Sequence, residues 1–123
     1  MDAASTAGIA FVTLEATGAG NVIQQDVETA IVDASKTAGA PIPADNILFG
    51  QTHTHAGPDL QGLSGGVPQD WISNTLNKAA ATAVKNAIQS RTSARLSYRQ
   101  GVNLNFNHYR RPQVDKDADS DGT

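Results

Sequence analysis

The stretch Thr52-His53-Thr54-His55-Ala56-Gly57-Pro58-Asp59 gathers more chemically versatile side chains than any other part of the chain. Two histidines two residues apart on an extended backbone point to one face, with Cα atoms about 6.8 Å apart. At that spacing the imidazoles can converge on one metal ion, or one can ligate while the other handles a proton beside it. The hydroxyls of Thr52 and Thr54 and the carboxylate of Asp59 are placed to orient the ring tautomers, and Gly57 lets the backbone approach a ligand closely. A plainer reading fits the same spacing: the pair ends a strand and hydrogen-bonds neighbouring loop carbonyls. His-x-His recurs in unrelated hydrolases, so spacing alone leaves both readings open.

The elements around the pair are short. Ile9 to Leu14 is rich in β-branched and aromatic residues and runs into the turn-prone Thr17-Gly18-Ala19-Gly20-Asn21, which predicts a strand buried on both faces. Val22 to Thr37 repeats Val27, Ala30, Ile31 and Ala34 at helical spacing, with Asn21 as N-cap and Gly39 placed to end the helix. Pro41 and Pro43 impose an extended linker, and Ile47-Leu48-Phe49 is a second buried strand leading into the histidines. Ala56 to Pro68 carries too many glycines and prolines for regular structure, so it is a loop, in a position where loops often carry function. Gln69 to Ser90 is the clearest helix, its stripe running through Ile72, Leu76, Ala80, Ala83, Val84, Ala87 and Ile88, with Trp71 in the core. Ala94 to Gln100 alternates as a third strand, Leu96 and Tyr98 on one face.

This order predicts an α/β fold: layered, with a partly parallel sheet and flanking helices, forming an incomplete part of a larger domain. In open sheets of that kind the reactive crevice lies beyond the carboxyl ends of the strands, where the sequence after Phe49 falls.

Composition narrows the function classes. Nine basic against twelve acidic side chains give a net charge of −3, which offers no electrostatic reason for a nucleic-acid or anionic-membrane partner. With no cysteine, a metal must be held by histidine and carboxylate, and no disulfide framework exists. No window approaches the run of about 18 apolar residues of a transmembrane segment. Residues 1–8 lack the basic and apolar regions of a signal peptide, and the chain reads as though it begins inside a domain. A chain of 123 residues buries only about two-thirds of its unfolded surface, so a core of this size is marginal.

Asn46-Ile47-Leu48-Phe49-Gly50-Gln51-Thr52-His53-Thr54-His55-Ala56-Gly57-Pro58-Asp59 resembles the zinc-site strand of the neutral/alkaline non-lysosomal ceramidases, whose pattern is Thr-His-Thr-His-Ser-Gly-Pro. Only Ala56 departs within the heptapeptide. The flanks agree loosely and in order over most of residues 9–123: a proline-rich linker, a glycine-rich loop, an alanine-rich helix, a strand, then Asn105-Phe106-Asn107. The resemblance implies zinc as cofactor and His53 as its ligand. It also implies His55 as an active-site residue that polarises substrate or positions water, and Asn107 as a substrate-binding residue. Where the family has Arg after that Asn, this chain has His108, with Arg110 and Arg111 slightly later. The family's other zinc ligands, a further His, a Glu and a Tyr, lie downstream of the matched region. A catalytic zinc takes three protein ligands as a rule. The implied identity is therefore the N-terminal fragment of a hydrolase of sphingolipid metabolism, inactive alone. Its partners would be ceramide or a related N-acyl sphingoid lipid and the rest of the catalytic domain. The family is secreted or membrane-associated. The competing reading is a non-catalytic α/β lipid-contacting or structural remnant.

Other motifs rank lower. Asp117-Ala118-Asp119-Ser120-Asp121-Gly122 fits half a calcium loop, yet residues 112–123 read better as a loose acidic tail. His108-Tyr109-Arg110-Arg111 reads as an exposed turn. Leu60 to Val67 is apolar enough to line a lipid entrance, although a packed surface loop is the simpler reading. Ser64 and Ser73 lie in no nucleophile elbow.

Overall fold

Apolar residues at alternate positions place two short strands side by side. In the computed structural model, which describes residues 8–102, β1 (Ala10–Leu14) pairs in parallel with β2 (Ile47–Gln51), Ala10 opposite Ile47 and Leu14 opposite Gln51. Parallel strands need a crossover. Here it is α1 (Asn21–Thr37), followed by the extended prolines and a short 3₁₀ turn at Ala44–Asn46. The result is mixed α/β with a two-stranded parallel sheet, as the coarse order of elements predicts.

The strands differ from expectation in burial. Ala10, Val12, Leu14, Ile47 and Phe49 are packed against a core cluster that includes Val27, Ile31, Ala34, Ile72, Leu76 and Val84. The opposite face carries Phe11, 81% exposed, beside its register partner Leu48. A strand is buried on both faces only when both are covered, and the core cluster covers one. Truncating Ile31, which is 1% exposed, should cost about 2–5 kcal/mol.

Helix α1 begins one residue earlier than predicted, at the residue expected to cap it. Asn21 is the first helical residue and Gly20 takes the N-cap position without a side-chain hydrogen bond. The isolated bridge between Ala19 and Leu60 explains the shift: the Gly20 N–H donates to the Leu60 carbonyl at 3.1 Å, holding the backbone extended up to that point. At the other end Gly39 closes the helix with φ 74°. Its N–H donates to the Lys36 carbonyl and that of Ala40 to the Ser35 carbonyl, the paired bonds of a Schellman motif. Ser35 is fully buried and satisfied, donating to the Val32 carbonyl at 2.7 Å and accepting from the Ile42 N–H at 2.9 Å.

The predicted long helix is present with an irregularity. A single turn, α2 (Gln69–Trp71), passes through a π turn at Ile72–Leu76 into α3 (Asn77–Gln89) with helical backbone at each junction. Ile72, Leu76 and Val84 are buried, Trp71 only half so, and Ala83 and Ala87 are exposed. These alanines line an apolar groove of about 610 Å³ between α3 and β1. No helix among the described residues is long and apolar enough to cross a membrane.

A second unit begins at Ser93. Its described part, residues 93–102, contains no helix or strand. The third strand expected over Ala94–Gln100 is therefore not formed: alternation alone makes no ladder, and no strand among the described residues pairs with it. Leu96 is 98% exposed.

Candidate functional site

Because β1 and β2 run parallel, their carboxyl ends lie together, and the histidine turn leaves from that edge. The Thr52 N–H donates to the Leu14 carbonyl at 3.0 Å, extending the ladder one step past β2. The chain then bends at His53, whose φ of 61° is the one left-handed value at a described residue other than glycine. The histidines thus follow the strand rather than end it, and the extended-backbone geometry expected for them is corrected. The turn still brings the rings together, with centroids 5.2 Å apart at 85°, edge to face.

The groups that hold the turn come mainly from the end of β1. His53 Nδ1 lies 2.7 Å from the Thr17 carbonyl oxygen. A carbonyl only accepts, so Nδ1 carries a proton, and in the neutral ring Nε2 keeps its lone pair. The Thr17 hydroxyl donates to the Thr54 carbonyl at 2.9 Å. Gly57 packs against the Glu15–Ala16 backbone, where a Cβ would overlap the Glu15 carbonyl oxygen and stand 3.2 Å from Ala16 Cα. Both imidazoles are exposed.

The side chains expected to orient the rings do other work. Thr52 donates its hydroxyl to Glu15 Oε2 at 3.0 Å, and the Thr54 hydroxyl accepts from the Ala56 N–H at 3.3 Å. The Asp59 carboxylate faces its own loop. It accepts from the backbone N–H groups of Gln61 and Leu63 on one oxygen, at 3.2 and 3.1 Å, and of Ser64 and Gly66 on the other, at 2.6 and 3.0 Å. These donors, Ser64 and then Gly66 foremost, hold its pKa down at about 2 against partial desolvation. Within the same loop Leu60 is buried in the core, whereas Leu63 is exposed.

Sequence reasoning missed Glu15 and Thr17. The available signal was positional: residues just after one parallel strand abut those just after its neighbour. Asn107, His108 to Arg111 and the tail 112–123 lie outside the described residues. The apolar groove does not coincide with the chemistry, since neither histidine lines it. Among the described residues no three His, Cys, Asp or Glu side chains cluster as a metal set. The two imidazoles, one with its tautomer fixed for Nε2 ligation, therefore suit part of a donor set and need a further ligand to complete the three of a catalytic zinc site. No protein-family model, curated protein or solved structure matches the chain.

Proposed function

We propose that the chain is the zinc-site segment of a ceramidase-like amidohydrolase, one part of a larger layered α/β domain whose other zinc ligands lie outside the described residues. The observation that carries this reading is His53: its backbone is left-handed, a conformation costing of order 1 kcal/mol or more in a residue with a side chain. Its Nδ1 is committed to the Thr17 carbonyl, and His55 stands beside it. Strain of this kind concentrates at functional sites. A partner on the second ring nitrogen is the usual arrangement around a metal-ligating histidine.

In this reading His53 holds zinc through Nε2. Zinc bound there would supply a water nucleophile near neutral pH and polarise a substrate carbonyl. His55 positions water or substrate and carries a proton toward the nitrogen that departs as the acyl C–N bond breaks and a C–O bond to water forms. Asn107 contacts the substrate. The substrate is ceramide or a related N-acyl sphingoid lipid, cleaved to sphingoid base and fatty acid, and the segment alone is inactive.

Zinc titration of the 123-residue chain, followed by imidazole NMR, tests the ligand assignment. Zinc should perturb His53 Nε2 first and His55 next, weakly, without tight stoichiometric uptake. His53→Asn, which tolerates the left-handed backbone, should abolish the response, and His55→Ala should reduce it. A zinc response that survives both substitutions unchanged defeats the proposal.

A further inference from the structure

We infer that Thr17 is the positioning residue of the histidine pair, gripping the turn at two points so that His53 presents Nε2 and His55 stays beside it. The metal-related consequence rests on the zinc reading above; the clamp does not. Thr17 follows β1 and is half-buried between the buried Ala16 and Gly18, so it is a fixed platform. Its carbonyl accepts the His53 ring proton at 2.7 Å, while its hydroxyl donates to the Thr54 carbonyl at 2.9 Å. The first bond sets the ring and its tautomer. The second fixes the peptide that leads into His55, hence the 5.2 Å separation of the rings. The other contacts of the turn, through Thr52 to Leu14 and Glu15, fix where it starts and leave ring orientation unset.

The clamp opposes a solvent preference. A neutral histidine free in water favours its proton on Nε2, whereas Thr17 requires it on Nδ1 in His53. Long-range ¹⁵N–¹H spectra at a pH where the ring is neutral read the tautomer directly, without metal. His53 should be mainly Nδ1-protonated in the wild type. Thr17→Val, which keeps shape and carbonyl but removes the hydroxyl, should leave that tautomer in place and weaken the His53–His55 ring contact read by NOE, and Thr17→Ser should restore the contact. The zinc response of His55, whose peptide the hydroxyl holds, should weaken by about tenfold in Thr17→Val, the low end of the effect of losing a group that orients residues around a metal. A wild-type ring protonated on Nε2 overturns the inference even if Thr17→Val fails to fold. So does a folded Thr17→Val with the wild-type His53–His55 ring contact. The expected tautomer and ring contact with no response of His53 to zinc would uphold the clamp and sink the zinc function.

Discussion

Residues 53–55 and residues 59–66 belong to one stretch of chain after β2, and they treat their polar side chains in opposite ways. The Asp59 loop turns inward: four backbone N–H groups converge on one carboxylate, so its hydrogen-bonding capacity is spent holding the loop together. In the histidine turn one ring nitrogen is tied down by Thr17, and the exposed His55 ring meets His53 without a hydrogen-bond partner among the described residues. Charge and exposure do not separate the two, since both regions lie at the surface. What separates them is residual capacity. A carboxylate saturated by its own backbone is structural, while an imidazole with a free lone pair, on a strained backbone braced by a neighbouring element, is available for chemistry.

The contrast breaks most severely at Gly57. Gly57→Ala drives a methyl group into the Glu15–Ala16 backbone, and overpacking of this kind costs about 1–3 kcal/mol. Chemical denaturation should register the loss. NMR should show the His53–Thr17 contact disturbed before the amide pattern of residues 61–66. If the substitution is neutral, the turn is not seated on β1 as described.

Asp59 offers a smaller, sharper perturbation. Its pKa is about 2 when folded against an ordinary 3.8. A depressed carboxylate contributes fully above its unfolded value and loses that contribution as pH falls through the folded one. The amide proton shifts of Ser64 and Gly66 should therefore hold down to about pH 4 and titrate with a midpoint near 2. Asp59→Asn should move these amides at all pH values and leave the His53 tautomer unchanged. A midpoint near 3.8 would mean that the loop does not close on its carboxylate.

Thr52→Val should do least. It removes an exposed contact to Glu15, and surface changes of this kind fall within about 0.5 kcal/mol. It also serves as the control for Thr17→Val, since both remove one hydroxyl from the same corner. Equal effects on the His53–His55 ring contact would erase the distinction between the groups that start the turn and the group that orients it.

Both strands, α1 and the helix over residues 69–89 were legible because local periodicity encodes them, and the glycine-rich loop because glycine and proline exclude regular structure. The third strand was misread: Leu96 and Tyr98 alternate, but a strand is a relation between two segments, and one segment cannot carry it. The N-cap slipped from Asn21 to Gly20 for a similar reason, the Leu60 carbonyl being forty residues away in the chain. Within the site, the histidines announced themselves by type and spacing. Their supports did not, because Thr17 and Glu15 resemble any residues at the end of a strand.

The sequence by itself determined which side chains could do chemistry, where the chain had to turn, and that any metal would meet nitrogen and oxygen rather than sulfur. Only the tertiary structure decided which of those groups remain free. Parallel pairing of β1 and β2 brings Thr17 against His53, and the loop closes on Asp59 rather than leaving it for the rings. The physical reason is that hydrogen-bonding capacity is local to an atom but its use is not. Whether a lone pair is spent or available depends on what the fold brings within about 3 Å of it.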